Sequence, residues 1–541
     1  MRPDTTALLR DLGFDAHWLV IDGCADFFGV TVHFHEAIQD PNFDVPINSD
    51  EIRMHQLGNI WNFEKMEEAI KKCDMLWVDD PQPIAMIPLI RAIYPDKIVV
   101  SRIHVQVNPI PSLKSYLRAI IQGELTEGRD SVLLNYIRGR LGVKKAMQMM
   151  ENSYAAHAAV FHIQPFADAL ALDKVPVKIL GPSINPLSCK NRPLPSGFVV
   201  ETLKKYSILP ADFDGSKPLP PIVTEISRFD PCKGPLEVIA AFIIAVSEHK
   251  DPSFRRTARL VYAGNIPTDN PSGISIFGIA TRFLRNLPSS ITSIEGMEDI
   301  RDRVFLLNLE DNIVDGKVVR DMIIKPTDNP FSNLTGGYLT PSQAKALEEG
   351  QPDALFSFAK ADGGRVQNLS GRDINHLEVN ALQTAAMVRA QFSIKEGFGL
   401  VVSEAMVKVA PPGHAHGVMV ATDVGGIHSQ VVQGCGFLTD FSNEEVDQSL
   451  EVYRNLKGWH EVEPARRLER ESSQTVLQPL FDRFSNEACV KAFAANILTV
   501  FEMDEKKRAE MGEAGRNHIM KNFSTTGNVK NILDVFNDVI A

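Results

Sequence analysis

Short β-branched runs alternate with longer helical patterns along most of this 541-residue chain. Helical patterns occur, for example, at 63–73 and 234–249. The runs that predict strands are 17–21, 75–78, 97–103, 158–163, 177–180, 221–227, 259–264, 304–309, 386–392, 417–422 and 436–439. Near-continuous apolar strands that alternate with helices are typical of parallel sheets covered on both faces. The chain therefore predicts an α/β fold.

The stretch at 185–220 interrupts this alternation. It contains NPLSCKNRPLPSG and LPADFDGSKPLPP, which are rich in Pro, Ser and Gly and lack a long apolar run. A chain of this length is too long for one ordinary core. We therefore predict two doubly wound, Rossmann-like domains, at 1–200 and 217–524, which face each other across a cleft. Ligands of such sheets bind at the carboxyl ends of the strands.

Two segments of the second domain are predicted to be insertions. Residues 310–375 are polar and Gly-rich, and residues 443–485 are dense in charge with a helical pattern. Connections of this length are usually functional or mobile, and a solvated surface excursion explains them equally well. A C-terminal helix at 525–541 is predicted to return to the first domain.

Charge and composition exclude several classes of partner. The net charge of −12 argues against binding to nucleic acid or to an anionic membrane, because phosphate-rich surfaces need a basic partner. No apolar run approaches the roughly 20 residues that span a bilayer, and the N-terminal sequence lacks a signal-peptide core. Six sparse cysteines without a CxxC pair support neither a disulfide framework nor a zinc site. We expect a cytoplasmic protein that can form a homodimer.

The sequence ISRFDPCKG follows a predicted strand and ends where a helix begins. Arg228 and Lys233 lie on either side of a turn that contains Asp230 and Pro231. Such a turn can direct both cations at one anion, near a helix N-terminus that also favours negative charge. A phosphate or diphosphate is the natural ligand. Two surface cations beside a turn are an equally good interpretation of this motif alone.

The sequence KEGFGLVVSEAM follows another predicted strand. Gly397 and Gly399 allow the backbone to approach a ligand closely. Glu396 in the loop and Glu404 in the helix can both border one pocket and accept hydrogen bonds from sugar hydroxyls. The alternative is a strand-to-helix turn with a solvent-facing Glu. A third turn, Gly425-Gly426, follows the strand at 417–422 and is more often a packing turn.

The first predicted domain has polar side chains where strands end. Asp79, Asp80 and Gln82 follow the strand at 75–78, and His104 follows the strand at 97–103. Polar groups at strand ends suit a polyol acceptor. Asp22, in an aromatic and acidic segment, is a further candidate for the acceptor side.

These motifs resemble the retaining glycosyltransferases of family 4, which have the GT-B fold. The resemblance rests on SRFDPCKG, VNALQ, EGFGLVVSEAM, VGGI and GRNHIMKNFS. LGFDAHWLVIDGCADFFGVTVHFHEAIQD, DDPQP and GPSINPLSCKN narrow it to the trehalose synthase subgroup, with retaining trehalose phosphorylases as relatives. Family members begin with a strand and a Gly-rich loop resembling GGVAE. This sequence starts near the following helix, so we expect its first domain to lack both.

The resemblance implies a role for each candidate residue. Arg228 and Lys233 would bind the donor phosphates, Glu396 the transferred glucose and Glu404 the ribose of a nucleotide. His104 would contact the donor glucose at the reacting face. The remaining donor-side residues are Gly397, Phe398, Gly399, Leu400, Gly425 and Gly426, and the acceptor-side residues are Asp22, Asp79, Asp80 and Gln82. No metal or other cofactor is expected, because Arg228 and Lys233 supply the positive charge.

Three functions fit this resemblance. The first is transfer of glucose from a nucleoside-diphosphate-glucose to glucose, which gives α,α-trehalose with retention. The second is a retaining trehalose phosphorylase that uses glucose 1-phosphate. The third is a non-catalytic sugar-nucleotide-binding regulatory subunit, suggested by the insertions and by the lacking loop. In each case the partners are small-molecule sugars.

Overall fold

The computed structural model describes most of the chain. The described residues are 3–39, 45–108, 111–126, 131–142, 155–264, 272–285, 287, 289–308, 313–314, 317–318, 371–411, 416–440 and 488–540. The predicted insertion at 443–485 lies outside these residues. Of the insertion at 310–375, the structure describes only 371–375 and the two-residue strands Ile313–Val314 and Lys317–Val318.

Contacts within the chain divide it into two compact units. The first consists of Met1–Ser183, Glu396–Phe398 and Thr525–Ala541, and the second of Ile184–Lys395 and Gly399–Ser524. The sequence placed the interdomain connection near 185–220, just after the point where the chain enters the second unit. The C-terminal helix and three residues of the EGFG loop thus belong to the first unit.

The first unit contains one parallel sheet of order β1-β2-β3-β4. Its strands are β1 (Met75–Asp79), β2 (Ile98–Ile103), β3 (Ala158–Phe161) and β4 (Val177–Ile179). Its helices are Pro3–Asp11, Ala25–Gln39, Ser49–Lys72, Met86–Ile93, Pro111–Gln122, Ser131–Leu141, Gln164–Leu170 and Thr525–Ile540.

Alternate side chains of each strand point to opposite sides of this sheet, and core residues cover both sides. Val99 and Phe161 belong to the larger core cluster, which the helices between Ala25 and Leu170 complete. Val100 and Val160 pack in a smaller cluster with Phe536. The helix Thr525–Ile540 therefore covers the second face, and Asn528 fastens it by donating to the Gly181 carbonyl at 2.7 Å.

The second unit is built on a six-stranded parallel sheet of order β12-β11-β10-β5-β6-β7. The strands are β5 (Ile222–Ile226), β6 (Arg259–Gly264), β7 (Val304–Asn308), β10 (Val388–Gln391), β11 (Val418–Thr422) and β12 (Gly436–Thr439), with β8 and β9 being the two short strands named above. The α-helices are Ser196–Lys205, Pro235–Glu248, Pro252–Thr257, Ser272–Arg285, Ser289–Thr292, Gly371–Ala385, Leu400–Met406, Ile427–Gln430, Ala488–Glu502 and Glu505–Asn522, and Pro231–Lys233 and Ile300–Arg303 are 3₁₀ turns.

The strand order of the second unit reverses between β5 and β10. The chain builds outward from β5 through β6 to β7, and then returns to place β10 on the other side of β5. Crossovers leave a crevice at such a reversal, outside the carboxyl ends of the strands. The loops that follow β5 and β10 carry ISRFDPCKG and KEGFGLVVSEAM, so the topology puts both motifs where sheets of this kind bind ligands.

The predicted α/β architecture is confirmed, with parallel sheets in both units and a strand at every predicted run but one. The exception is 17–21, which is wrong: this segment has no regular secondary structure, and Trp18 and Val20 are 48% and 62% exposed. Directly after this segment, the Asp22 amide donates to the side chain of Asn62, on the helix Ser49–Lys72, at 2.8 Å. A five-residue apolar run alone cannot distinguish a strand from an extended surface segment.

Candidate active site

Three neighbouring strands of the first unit end in polar side chains. Asp79 is the last residue of β1, His104 follows β2 and His162 follows β3. The strands are parallel, with Asp79 opposite Arg102 and Ile103 opposite Phe161. The three side chains therefore form a row along the carboxyl edge of this sheet.

Asp79 is held firmly by its neighbours on the sheet. Arg102, itself 5% exposed, donates from Nε to Asp79 Oδ1 at 2.7 Å and from an Nη atom to Oδ2 at 3.0 Å. Trp77 Nε1 donates to Oδ1 at 2.8 Å. Burial lowers the pKa of Arg102 to about 9, so the guanidinium is still charged at neutral pH. The Asp79 carboxylate thus has several protein donors, and its role in acceptor binding stays a prediction.

His104 has a protein partner at each ring nitrogen. Nε2 lies 3.3 Å from Asp79 Oδ1, and Nδ1 lies 2.7 Å from Nε2 of His162. His162 is 4% exposed and its ring contacts the ring of Phe398 edge-on, at a centroid distance of 5.5 Å. Burial lowers the pKa of His162 well below its usual value, with smaller contributions from His104 and Arg102. The buried His162 ring is therefore neutral.

The backbone at Asp80 is strained. Its φ is +70°, in a region that side chains other than glycine rarely adopt. Two hydrogen bonds hold it there: its amide donates to the Arg102 carbonyl at 2.7 Å, and its Oδ1 accepts from the His104 amide at 3.0 Å. Backbone strain that neighbouring residues maintain is common at functional sites. The two hydrogen bonds also fasten the DDPQP turn to the strand end that carries His104.

The helix Ser49–Lys72 anchors the DDPQP turn through buried polar side chains. His55 Nε2 donates to the carbonyls of Pro81 and Gln82 at 3.0 and 2.9 Å, and Asn59 donates to the Gln82 carbonyl at 2.8 Å. Asn62, one turn further, donates to the Asp22 carbonyl at 2.8 Å. The spacing of four and three residues puts all three side chains on one helical face. The sequence analysis did not select these residues, although three polar side chains at that spacing on one helix could have indicated them.

The acceptor-side candidates differ in their surroundings. The Asp22 side chain is 69% exposed and forms an ion pair with Lys65 at 3.3 Å. Gln82 is half-buried and its side chain forms a hydrogen bond with His35. The structure thus brings Asp79, Asp80 and His104 into direct contact, while the Asp22 carboxylate faces solvent.

The segment Glu396–Phe398 packs closely on the first unit. A Cβ atom added at Gly397 would lie 2.8 Å from the His104 carbonyl oxygen and 3.5 Å from the Gln106 amide nitrogen. Only a glycine permits this approach between two backbones. Phe398 is 4% exposed, and Glu396 is half-buried. The structure thereby puts the backbone next to the predicted glucose-binding Glu396 against the strand end that carries His104.

In the second unit, Arg228 and Lys233 flank a turn with fixed geometry. Asp230 Oδ1 accepts from the Cys232 amide at 2.8 Å and caps the 3₁₀ turn Pro231–Lys233. Gly234 then adopts a φ of +49° and begins the helix Pro235–Glu248. The Arg228 side chain is 60% exposed, and its guanidinium lies 3.7 Å from Asp230. One cation is thus mostly in solvent and the other is half-buried on the same short loop.

Buried hydrogen bonds connect the loop after β5 to the segment after β10. The Glu225 carboxyl group on β5 accepts from the Phe392 amide and from the Ser227 hydroxyl, each at 3.1 Å. Burial raises the pKa of Glu225 to about 8, although these hydrogen bonds and Lys233 partly offset the rise. The Ile394 amide donates to the Cys232 carbonyl at 2.8 Å. The loop after β5 is thereby fastened to the chain that leaves β10.

Glu404 is buried and paired inside the second unit. Its Oε2 lies 2.5 Å from Nζ of Lys190, and the two side chains are 5% and 28% exposed. Lys408, one turn further along the chain, donates to the Lys190 carbonyl and to Asn191 Oδ1. Burial lowers the pKa of Lys408 well below its usual value, and Glu404 counteracts this. Glu404, the residue predicted to bind the ribose, is therefore already paired with Lys190.

The remaining donor-side residues lie at two connected turns. Gly399 has a φ of +81° and begins the helix Leu400–Met406, whose first residue is half-buried. Gly425 has a φ of +51°, and the Gly426 carbonyl accepts from Gln430 at 3.2 Å. Gln430 in turn accepts from Ser403 at 2.6 Å. Gln430 therefore joins the turn at Gly426 to the helix that begins after Gly399.

Neither a metal site nor a membrane span is found in the part of the chain that the structure describes. No group of three or more His, Cys, Asp and Glu side chains there is placed to hold a metal ion. No helix there is long and apolar enough to cross a membrane. The absence of a metal from the reaction is a separate matter and stays a prediction.

Relatives of this chain share one described activity. Residues 1–125 match the family model "Trehalose synthase, N-terminal domain". A trehalose synthase of Thermococcus litoralis is 26% identical over 444 residues, which cover 82% of this chain and 75% of that protein. A trehalose synthase of Rubrobacter xylanophilus is 24% identical over 433 residues, which cover 80% of this chain and 73% of that protein.

Solved structures share the fold. A UDP-forming α,α-trehalose-phosphate synthase from Burkholderia vietnamiensis matches with a TM-score of 0.53 at 11% identity, over 95% of this chain and 83% of that one. The α,α-trehalose 6-phosphate synthase of Burkholderia multivorans matches with a TM-score of 0.52 at 12% identity, over 95% and 82% of the two chains. With the two parallel sheets and the sequence relatives, this identifies the chain as a glycosyltransferase with the GT-B fold, related to the trehalose synthases.

Proposed function

We propose that this protein is a retaining glucosyltransferase that moves glucose from a nucleoside-diphosphate-glucose to glucose and forms α,α-trehalose. The observation that carries this proposal is the capped turn of the second unit, where Arg228 and Lys233 flank Asp230-Pro231 at the reversal of the sheet. A diphosphate needs fixed cations of this kind. The relatedness to trehalose synthases supports the choice of sugar.

The proposed reaction breaks the bond between the anomeric carbon of the donor glucose and its phosphate oxygen. Negative charge develops on that leaving oxygen, and Arg228 and Lys233 stabilise it. The anomeric hydroxyl of the acceptor glucose forms the new bond on the same face. Its proton passes to an oxygen of the leaving diphosphate. Glu396 binds the transferred glucose, and Glu404 binds the ribose.

The acceptor glucose is proposed to bind to the first unit. Asp80 and Gln82 lie on the DDPQP turn, which His55 and Asn59 hold in place through the Pro81 and Gln82 carbonyls. Carboxylate and amide groups on a rigid turn can accept and donate hydrogen bonds to the hydroxyls of a polyol. Asp79 and Asp22 are the weaker candidates, since their carboxylates already face Arg102 and Lys65.

The experiment is a turnover assay of the full chain with glucose and a panel of UDP-, ADP-, GDP- and TDP-glucose, and separately with glucose 1-phosphate. We expect at least one sugar nucleotide to give a non-reducing disaccharide in which both anomeric carbons are α, identified by proton NMR, together with the matching nucleoside diphosphate. Trehalose formed only from glucose 1-phosphate, with release of phosphate, would show a phosphorylase instead. Calorimetric binding of a sugar nucleotide without any product would show a non-catalytic subunit.

A further inference from the structure

The hydrogen bonds around His104 and His162 determine which ring nitrogens carry the protons. An Arg-paired carboxylate can only accept hydrogen bonds, so the contact between Asp79 and His104 requires the proton to lie on Nε2 of His104. In the neutral ring, Nδ1 of His104 is then an acceptor. Nε2 of His162 lies 2.7 Å from that Nδ1, and it must therefore donate.

The other nitrogen of His162 agrees with this assignment. Nδ1 of His162 is buried and has no hydrogen-bond partner among the residues that the structure describes. If Nε2 carries the proton, Nδ1 is a bare lone pair, which costs less to bury than an unpaired N–H. The opposite arrangement would protonate His104 at both nitrogens, beside Arg102, and leave a buried N–H without an acceptor. An unpaired buried N–H costs free energy, which disfavours that state.

We propose that His162 is a positioning residue that holds His104 neutral, with its proton on Nε2, by donating to His104 Nδ1. This deepens the proposed function, since it assumes that His104 contacts the donor glucose. The contact of Nε2–H with Asp79 is long, at 3.3 Å, and Asp79 also accepts from Trp77 and Arg102. This N–H can therefore turn from Asp79 to an oxygen of the bound sugar. Positive charge develops on the sugar ring as a glycosidic bond breaks. A neutral imidazole there avoids placing a second cation beside it.

The contact between His162 and Phe398 extends this role. The Phe398 ring packs against the edge of His162 and lies in the segment that also carries Glu396. One buried side chain thus touches both His104 and the segment next to the predicted glucose-binding carboxylate. His162 directly follows the observed strand β3 (Ala158–Phe161), as His104 follows β2. The predicted run 158–163 included His162, so the sequence rule that selected His104 did not select it.

Two variants separate the donated hydrogen bond from simple packing. In His162→Gln the amide nitrogen occupies the place of Nε2 and can still donate to His104. In His162→Asn the shorter amide reaches only the place of Nδ1. We expect the Gln variant to keep turnover within about threefold and the Asn variant to lose about tenfold in kcat, a difference of about 1.4 kcal/mol. His157→Gln, at the opposite end of the same strand, is the control and should keep wild-type turnover.

The tautomer itself is read from the full-length protein labelled with ¹⁵N-histidine, with the His104 signals assigned by their loss in His104→Phe. We expect the wild type and His162→Gln to show an Nε2–H tautomer of His104, and His162→Asn to show a mixed or protonated ring. An Nδ1–H tautomer in the wild type, or equal kcat for the Gln and Asn variants, would overturn the proposal. The NMR measurement does not depend on turnover. If the protein shows the expected tautomer but no transferase activity, the proposed function fails while the assignment of the tautomer stands.

Discussion

Lys190 and Glu404 form an ion pair of 2.5 Å between the segment that enters the second unit and the helix of the EGFG motif. The carboxylate is 5% exposed and the ammonium group 28%. A carboxylate at this depth needs a cation, because an unpaired charge in the interior is costly. Lys190 therefore sets the charge and the orientation of the residue that is proposed to bind the donor ribose.

We expect Lys190→Met to destabilise the protein by about 3 kcal/mol, because it removes the cation that faces the buried Glu404 carboxylate. Urea unfolding of Lys190→Met, Glu404→Gln and the double variant measures this as a double-mutant cycle. The double variant should be more stable than the sum of the single losses predicts. Additivity within about 0.5 kcal/mol would mean that the ion pair has no energetic coupling.

Glu225 makes the stability of the second unit depend on pH. Its folded-state pKa of about 8 lies above the value near 4.3 for a carboxyl group in an unfolded chain. Between these values the folded state binds more protons than the unfolded state, so the free energy of unfolding falls as pH rises. Glu225→Gln keeps an amide that can accept from Phe392 and donate to Ser227, without a titrating group.

The free energy of unfolding of Glu225→Gln relative to the wild type should therefore increase steadily from pH 5 to pH 8, by on the order of a few kcal/mol, and its relative melting temperature should rise with it. Differential scanning calorimetry at several pH values measures this. The exposed Glu502→Gln is the matched control and should give a constant difference. A difference for Glu225→Gln that is also independent of pH would show that the carboxyl group is ionised in the folded protein.

The sequence predicted most of the strands but only part of the site. Apolar runs and polar residues at strand ends are local features, and they were sufficient to select Asp79, His104, Arg228 and Glu396 as candidates. Lys190, His55 and Glu225 could not be chosen in this way. Their importance comes from burial and from partners that are distant in the chain, such as Glu404 for Lys190. The failure at 17–21 has a related origin, since no described strand pairs with that segment and the residue after it, Asp22, bonds to the side chain of Asn62, 40 residues away.

Gly397 tests whether the close backbone approach matters for sugar binding. In Gly397→Ala the new methyl group would meet the His104 carbonyl oxygen at 2.8 Å, so the segment with Glu396 has to move. We expect the KM for the sugar donor to rise about tenfold while the melting temperature changes little. Gly29→Ala is the control: no atom lies within 4 Å of the added Cβ, and alanine favours the helix Ala25–Gln39. Unchanged kinetics in Gly397→Ala would remove the segment from the binding site.

The proposed reaction uses protein cations instead of a metal ion. Turnover should therefore be the same before and after dialysis against EDTA, and added Mg²⁺ should change it less than twofold. The assay is the release of nucleoside diphosphate in metal-free buffer. Loss of activity that only Mg²⁺ or Mn²⁺ restores would contradict the assignment of charge neutralisation to Arg228 and Lys233.

Lys233 is the more informative of the two cations, because it is half-buried on the capped turn while Arg228 is largely in solvent. Lys233→Ala removes a charge from the leaving phosphate but leaves the Asp230 cap and the Gly234 helix start in place. We expect kcat to fall at least a hundredfold, which corresponds to about 2.7 kcal/mol of lost transition-state stabilisation. The far-UV circular dichroism spectrum should be unchanged. Lys506→Ala, whose side chain is 86% exposed on the helix Glu505–Asn522, serves as the control. Equal rates for the two variants would mean that another group neutralises the departing phosphate.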